Sequence, residues 1–413
     1  MRRLGSLLAA AVLALVVLPP APATATPGPR SAPEWWFDSW HVHELWAGGA
    51  DGRGITVAVL DSGVQADIPE LRGKVLPGAD FIGNGSDGRT DYDSDEFSHG
   101  TAMASLIAAD RGFADIEGLA PAAKILPVAV PLASVVRRGE PPKNATARSI
   151  RYAADHGARI ISMSLGGPRN EREDRVPCPQ SIQDAVLHAI GKGALVVAAS
   201  GNSAGSGNPV EEPGVCLGVV SVGAVDSRLE VTEFSSRHRY LTVTAPGSDI
   251  ATLTRESGSA FVGNGTSHAT ALTSGALALI WSKYPRENAR QILNRLLATA
   301  IDRGPKGRDS AYGIGVIDPA AAIAARPAGT AGANPVLDGA APLLALARAR
   351  AKPPAPPAAV ARRDAPLGEY RIGSPPSRLD SRFYLLAGGS AGFGALALVL
   401  AAAVRQRRAS RLR

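Results

Sequence analysis

Three residues suited to nucleophilic catalysis each stand at the edge of an apolar segment. Asp61 ends the apolar run 55–60, His99 precedes Gly100, and Ser267 begins a long apolar helical pattern. A serine hydroxyl becomes a nucleophile when a positioned imidazole takes its proton, and a carboxylate behind that imidazole fixes its tautomer. Taken singly, an Asp at a strand end is usually a turn residue and a Ser before a helix is usually an N-cap. Only the combination predicts acyl-transfer chemistry, and it requires a fold that brings the three side chains together.

The segments around these residues resemble the active-site motifs of the subtilisin-like serine proteases. They read VAVLDSGV over 57–64, SHGTAMA over 98–104 and GTS over 265–267. The order Asp, His, Ser along the chain is also the subtilisin order, not that of chymotrypsin or the α/β-hydrolases. The resemblance spans roughly residues 35–325. It implies that Asp61, His99 and Ser267 form a triad that hydrolyses peptide bonds in polypeptide substrates.

The same resemblance assigns four more residues to the site. Asn202 closes the segment 198–202 at the end of a predicted strand, and it is implied to be an oxyanion-hole donor beside the Ser267 backbone N–H. A substrate-binding edge, where an extended peptide pairs through its backbone, is implied at Ser164, Leu165 and Gly166. Without the resemblance, both segments would be ordinary turns after strands.

Two residues near Ser267 depart from the family pattern. Ala271 stands where the family usually has a proline, and His268 is an unusual neighbour for the serine. Alanine is a good helix former, and proline at that position supplies no reacting group. We expect these departures to affect the shape of the substrate subsites and not the chemistry.

A second serine motif competes with Ser267. Residues 201–205 read GNSAG, which matches the G-x-S-x-G nucleophile elbow of lipases and esterases and would make Ser203 the nucleophile. That fold needs an acid and a histidine downstream, for which the chain offers Asp226 or Asp249 and His268. The elbow also needs a helix immediately after it, whereas residues 205–209 read GSGNP, which breaks helices. We therefore predict that Ser203 is not the nucleophile.

The segment 87–96 carries five carboxylates shortly before His99. Carboxylates at alternating positions suit calcium, but the glycine and the terminal glutamate of an EF-hand loop are out of register here. We predict a solvated acidic loop and no metal or required cofactor, with a structural calcium ion as the alternative.

Apolar strand-like runs alternate with helical patterns between residues 34 and 325. Near-continuous apolar strands separated by helices predict an α/β domain with the subtilisin-like three-layer fold, a mostly parallel sheet covered by helices on both faces. The predicted strands are 56–60, 124–130, 159–165, 194–199, 219–225 and 241–245, and the predicted helices are 101–110, 144–156, 181–192 and 267–283.

The first residues have the pattern of a secretory signal peptide, 1–25, with Arg2 and Arg3 before an apolar run and Ala23-Thr24-Ala25 as a cleavage site. The peptidase domain is then predicted over 26–325. It begins with a Trp-rich arm (34–46), which we expect to pack on the domain because aromatic rings bury large areas.

The other end of the chain predicts a membrane anchor. An Ala/Pro-rich linker (326–382), with a short helix at 341–350, leads to the uncharged apolar segment 383–404, which is long enough to span a bilayer. The tail 405–413 contains five arginines and no acid, so it is expected in the cytoplasm and the catalytic domain outside the cell membrane.

The formal net charge of +7 does not indicate nucleic-acid binding. Arg2, Arg3 and the five arginines of the tail supply as many positive charges, so the exported remainder is formally neutral. Nucleic-acid binding would need a basic stripe on the folded domain, and that class of function is excluded.

The two cysteines, Cys178 and Cys216, lie in loops that flank the predicted strand 194–199. An even count in an exported protein favours one disulfide, with two free buried thiols as the alternative.

The short arm without a folded pro-domain, together with the C-terminal anchor, resembles the mycosins, the membrane-bound subtilases of actinobacterial type VII secretion systems. The resemblance implies secretion-complex membrane proteins as partners. A largely non-catalytic scaffold that stabilises such a complex remains the alternative function.

Overall fold

The apolar runs form a single parallel sheet of seven strands. The computed structural model describes residues 34–112, 115–168, 178–325 and 332–351. Its strands are β1 (Thr56–Asp61), β2 (Ala79–Asp80), β3 (Lys124–Ala129), β4 (Ile160–Met163), β5 (Gly167–Pro168), β6 (Leu195–Ala199), β7 (Glu211–Glu212), β8 (Val219–Val225), β9 (Val243–Pro246), β10 (Ile250–Leu253) and β11 (Ala260–Gly263). The main sheet has the order β2-β3-β1-β4-β6-β8-β9, and all of its neighbouring strands are parallel. Two small antiparallel pairs, β5 with β7 and β10 with β11, accompany it.

Helices cover both faces of this sheet. They are α1 (Trp35–Ser39), α2 (Val42–Ala47), α3 (His99–Ala108), α4 (Ala145–Asp155), α5 (Gln180–Gly191), α6 (Thr266–Lys283), α7 (Ala289–Ala298), α8 (Pro319–Ala324) and α9 (Leu337–Ala351). On β1, Val57 and Val59 pack in one core with α3 and α6, whereas Ala58 and Leu60 pack in the other core with α4 and α5. This alternation follows from the two-residue period of a strand. The predicted three-layer α/β fold is thereby confirmed.

Helix α6 passes through the larger core and is buried from Thr266 to Trp281. A helix surrounded by protein is normally apolar on every side, yet this one contains several hydroxyl side chains. Those of Thr270, Thr273 and Ser274 donate to carbonyl oxygens four residues earlier at 2.8, 2.8 and 2.9 Å. Their polar atoms are therefore satisfied inside the helix, and burial costs little.

The Trp-rich arm packs on the domain, as predicted. The side chains of Trp36 and Phe37 are fully buried. The indole N–H of Trp35 donates to the Ser248 carbonyl at 3.2 Å, and that of Trp46 donates to the Leu119 carbonyl at 3.0 Å. The arm is thus tied to two separate parts of the domain.

Part of the predicted linker belongs to the folded domain. Asn334 is fully buried and its amide donates to the Asn294 side chain at 2.6 Å, while Asp338 in α9 pairs with Arg290 at 2.7 Å. The helix predicted at 341–350 is longer and includes Pro342. The domain therefore continues past residue 325 through α9.

Several predicted segments lie outside the described residues. These are the signal peptide (1–25), most of the linker, the apolar segment 383–404 and the tail 405–413. Within the ranges that the structure describes, no helix combines the length and hydropathy needed to cross a membrane.

A disulfide joins Cys178 to Cys216, which confirms the predicted pair. The Cα atoms are 5.0 Å apart, and both residues are buried. Cys178 lies two residues before α5, and Cys216 lies between β7 and β8. The bond therefore ties the segment before α5 to the segment that carries β7.

Removing this bond should destabilise the domain. In the Cys178→Ser/Cys216→Ser double variant the unfolded chain regains the freedom of a loop with a sequence separation of 38 residues. We expect the free energy of unfolding to fall by about 2–4 kcal/mol, measured by chemical denaturation of the folded domain. A Ser206→Ala variant, at an exposed turn position, is the matched control; equal stability of all three proteins would contradict the prediction.

Candidate active site

The candidate residues meet at one edge of the sheet. Strands β1, β4 and β6 are adjacent and parallel, so their carboxyl ends lie side by side. Asp61 ends β1, Ser164 follows β4, and Asn202 follows β6. In open parallel sheets this edge is the usual place for a ligand site. The topology therefore brings together segments that are far apart along the chain.

The Asp61 carboxylate and the His99 imidazole are in direct contact. The distance from Asp61 Oδ1 to His99 Nδ1 is 2.7 Å, and the Asp61 side chain is fully buried. Because an ionised carboxylate only accepts hydrogen bonds, Nδ1 carries the proton. In the neutral ring this leaves the lone pair on Nε2, the nitrogen that can act as a base.

His99 is placed by a loop that two buried carboxylates organise. Asp93 Oδ2 accepts the backbone N–H of His99 at 2.9 Å, where α3 begins. Asp91 accepts from the Ser62 hydroxyl at 2.7 Å through one oxygen. Its other oxygen accepts from the Thr101 N–H at 2.8 Å and the Thr101 hydroxyl at 2.6 Å. Asp91 therefore links the residue after Asp61 to the helix that carries His99.

This burial corrects part of the prediction of a solvated acidic loop at 87–96, in which Asp95 and Glu96 are exposed as expected. Asp91 and Asp93 are both buried, and their carboxylates accept hydrogen bonds from the protein itself. In the described part of the chain, no three His, Cys, Asp or Glu side chains form a group that could hold a metal ion. A structural calcium ion stays an untested alternative.

The pKa of His99 lies above its ordinary value of 6.5. Burial by itself lowers it, since a charged ring loses hydration. The charge and the hydrogen bond of Asp61, together with smaller increases from the charges of Asp93 and Asp91, outweigh this effect of burial. The cluster therefore stabilises an imidazolium ion at this position.

Ser267 lies in the first turn of α6 and lines the same cleft as His99. Its hydroxyl donates to the Ser164 carbonyl at 3.0 Å, and the Ser164 hydroxyl donates back to the Ser267 carbonyl at 2.9 Å. The N–H groups of a first helical turn have no acceptor within the helix, and the helix dipole makes this end positive. An anion formed at Ser267 would meet that end.

The orientation of the Asn202 amide is determined by its neighbours. Asn202 Oδ1 accepts the backbone N–H of Thr266 at 2.8 Å and the Thr266 hydroxyl at 2.9 Å. A backbone N–H can only donate, so the atom facing it is the oxygen and not the nitrogen. The Nδ2 group is thereby left to donate on its other side, and Asn202 lines the same cleft as Ser267. Thr266 was not recognised as part of the site from sequence, although it lies inside the GTS motif.

The predicted substrate edge faces the same space. Ser164, Leu165 and Gly166 line a cleft of about 430 Å³ together with His99, Asn202 and Ser267. No residue of the Trp-rich arm lines it, so the arm as described does not block the cleft. The cleft walls also include Asp93, Asp95, Ser203 and Glu211, of which Glu211 was not recognised from sequence.

The rival nucleophile Ser203 lacks the geometry of an elbow. It is followed by a short 3₁₀ turn, Ala204–Ser206, and by Gly207 in a left-handed conformation, not by an α-helix. Its hydroxyl donates to the Glu211 carboxylate. His268, a partner in that hypothesis, instead packs against Phe97 with ring centroids 5.7 Å apart. The exclusion of Ser203 agrees with this arrangement.

The two departures near Ser267 are accommodated in α6. Ala271 is fully buried within the helix. His268 is buried, and burial, followed by the charge of His99, lowers its pKa to about 3. His268 is therefore neutral near pH 7.

Comparisons with known proteins agree with this geometry. A sequence profile of the subtilase family matches residues 52–315. Subtilisin DY of Bacillus licheniformis is 36% identical over 279 residues, which cover 67% of this chain and 93% of that protein.

Solved structures give similar folds. The MycP3 protease from the type VII (ESX-3) secretion system matches with a TM-score of 0.62 and 30% identity, over 73% of this chain and 90% of that one. A periplasmic assembly from the ESX-5 inner membrane complex contains a chain that matches with a TM-score of 0.61 and 27% identity, over 75% of this chain and 90% of that one.

Removal of the Asp61 charge should lower the pKa of His99. In Asp61→Asn, burial still opposes the imidazolium while the main compensating carboxylate is gone, so we expect a pKa below that of the wild type. An NMR titration of the imidazole carbons measures it. Asp184→Asn, at an exposed position on α5, is the control and should leave the pKa unchanged; a shift of equal size in both variants would disprove the assignment.

Proposed function

This chain belongs to the subtilase family and is a serine endopeptidase, and from that premise we propose that Asp61, His99 and Ser267 form its catalytic triad. The observation that carries the proposal is the 2.7 Å contact of the buried Asp61 with His99, which lines the same cleft as Ser267. The protonated Nδ1 and the free Nε2 of His99 are what a general base for a serine hydroxyl requires.

Substrate binding prepares the nucleophile. An extended peptide paired with the edge Ser164–Gly166 brings backbone N–H groups that compete for the Ser164 carbonyl, the present acceptor of the Ser267 hydroxyl. Once that hydrogen bond is exchanged, rotation about χ1 lets Ser267 donate to His99 Nε2. His99 then takes the proton as the serine oxygen attacks the scissile carbonyl carbon.

The negative charge that forms on the carbonyl oxygen needs fixed donors. Asn202 Nδ2 and the Ser267 backbone N–H supply two, and the N-terminus of α6 adds its dipole. Because Thr266 holds the amide oxygen, Asn202 need not reorganise during the reaction. In subtilisin a donor of this kind contributes roughly 100- to 1000-fold to turnover.

Proton transfer from His99 completes each half of the reaction. The imidazolium gives its proton to the leaving amine, the C–N bond breaks, and an acyl group remains on Ser267. A water molecule then loses a proton to His99 and attacks the ester, and His99 returns that proton to the Ser267 oxygen as its bond to the acyl carbon breaks, which releases the acid and restores the serine. His99 must be neutral when it takes the proton of Ser267. We therefore expect kcat/KM to fall as the pH drops through the raised pKa of His99.

We further propose that the enzyme works outside the cell membrane, anchored by the segment 383–404 after cleavage of a signal peptide (1–25). The length and lack of charge of that segment, and the arginine-rich tail that follows, support this topology. The likeness to MycP3 and to a chain of the ESX-5 assembly supports a place in a type VII secretion complex. Membrane proteins of such a complex would then be partners.

That assembly also favours a second candidate function, a scaffold that stabilises the complex without cleaving a substrate. The two functions make different demands on Ser267. Catalysis requires its hydroxyl, whereas a scaffold requires only the surface of the folded domain.

A fluorophosphonate probe separates these functions. We expect the wild-type exported domain to be labelled and Ser267→Ala to be unlabelled, with peptide hydrolysis lowered by up to about 10⁶-fold, as for the nucleophile of a subtilisin. Ser206→Ala, at an exposed position outside the cleft lining, is the matched control and should label like the wild type. If a folded wild type neither labels nor cleaves a peptide library, while Ser267→Ala still supports complex assembly, the scaffold is the better account.

Membrane fractionation tests the anchor. We expect the full chain to sediment with the membrane and resist extraction at high salt, because an apolar span is held by lipid and not by charge. A variant ending at residue 382 should be released into the soluble exported fraction. Membrane retention of that variant would contradict anchoring by 383–404.

A further inference from the structure

The floor of the cleft contains a carboxylate that the catalytic steps do not use. Glu211 lines the cleft beside Gly166, Gly201 and Ser203, and the whole residue is only 5% exposed. It lies in β7, outside every segment that carries a triad residue. This position suits Glu211 to substrate binding and not to the bond-breaking steps.

Two glycines leave the space that this carboxylate occupies. A Cβ atom built on Gly166 would lie 2.5 Å from Glu211 Oε2, and one built on Gly201 would lie 2.3 Å from Glu211 Cδ. Gly201 also has φ +109°, a conformation that side chains rarely adopt. The carboxylate thus sits between the segments that follow β4 and β6. A side chain at either glycine would occupy the same space.

The position of Glu211 is held from three sides. Strand β7 pairs with β5, so that Glu211 lies opposite Pro168. The Glu211 backbone N–H donates to the Tyr240 hydroxyl at 3.2 Å. Burial raises the pKa of Tyr240 to about 12, so this group is neutral and adds no second charge. The disulfide at Cys216 tethers the same segment five residues further on.

The charge of Glu211 has no cationic partner among the described residues. The hydroxyl of Ser203 donates to it, and burial raises its pKa because no positive group offsets the lost hydration. A carboxylate that is nearly enclosed and unpaired is costly, and a ligand that supplies a positive charge removes that cost. Asp93 and Asp95 line the same cleft and add to its negative potential.

The proposed substrate pose directs one side chain at this carboxylate. A peptide paired with Ser164–Gly166, whose scissile carbonyl oxygen meets Asn202 Nδ2, passes over the gap between the ends of β4 and β6. In this pose the residue that carries the scissile carbonyl is placed with its side chain over that gap. Glu211 lies within the gap.

We propose that Glu211 is the specificity-determining residue of this protease and selects a lysine or arginine immediately before the scissile bond. This inference rests on the proposed triad and substrate edge. The cationic head of such a residue reaches the carboxylate at the gap between the two glycine-containing segments and pairs with it there, while its long apolar stem stays in the open part of the cleft. Substrates are then polypeptides with an accessible basic residue.

The geometry also defines the competing account, in which Glu211 only fills space and leaves room for a small residue such as alanine. The two accounts differ in whether the charge or the volume of the Glu211 side chain determines which substrate residue binds. Lysine and norleucine have side chains of similar length and differ in charge, so this pair isolates the charge. Glu211→Gln keeps the volume of the wild-type side chain and removes its charge.

The experiment measures inactivation rates with peptidyl diphenyl phosphonates that carry Lys, Arg, norleucine or Ala before the phosphorus. We expect Lys and Arg to react about 10- to 100-fold faster than norleucine in the wild type, the range for a charge-assisted hydrogen bond. In Glu211→Gln this ratio should fall to near one. Glu140→Gln, which changes an exposed carboxylate outside the cleft lining, should keep the wild-type ratio.

Each remaining outcome decides against the proposal. Equal rates for Lys and norleucine in a wild type that a fluorophosphonate labels overturn the inference and leave the proposed function intact. A preference for Ala that persists in Glu211→Gln and relaxes in Glu211→Gly establishes space-filling instead. A folded wild type that no phosphonate labels overturns the triad, and this inference with it. The wild-type ratio needs no variant, so a Glu211→Gln protein that fails to fold does not remove the test.

Discussion

The contact between Asp61 and His99 is the interaction on which the rest of the site depends. Asp61 is fully enclosed, and its Oδ1 accepts from His99 and from the backbone N–H of Ser62. Its Oδ2 has no hydrogen-bond partner in the described structure. The imidazole is therefore the main group that can compensate the buried charge. A carboxylate held in this way favours the imidazolium more strongly than a solvated one, because water does not screen it.

A contact of this kind requires that two separate segments keep their spacing. Asp61 ends a central strand, whereas His99 begins a helix on one face of the sheet. Asp91 joins them, since it accepts from Ser62 on one side and from Thr101 on the other. Buried polar networks of this type are stabilising only when each member is satisfied, and here the Asp91 oxygens accept donors from both segments. The acidic loop is thus a structural part of the catalytic geometry.

The parts of the molecule that could be predicted from sequence are those in which local pattern and tertiary environment agree. Strand β8 has the predicted bounds, 219–225, because every one of its residues is buried and all of them except Ser221 are apolar or glycine. The burial of Asp91 could not be predicted, since its donors come from residues that are close only after folding. Strand β11 was missed because three of its four residues are exposed, so no alternation marks it. Glu211 was missed for a related reason: its role depends on two glycines in other segments.

The two histidines beside the cleft show how one environment can hold like groups in different charge states. Both contact Phe97, with ring centroids 5.6 Å away for His99 and 5.7 Å for His268. His99 has a carboxylate on Nδ1 and its pKa is raised, whereas neither ring nitrogen of His268 has a hydrogen-bond partner in the described structure and its pKa falls to about 3. A second cation here would oppose the imidazolium that forms when Ser267 loses its proton. Enclosing His268 without an acid therefore removes a repulsion from the site, which is why a histidine can follow the nucleophile without impairing the base.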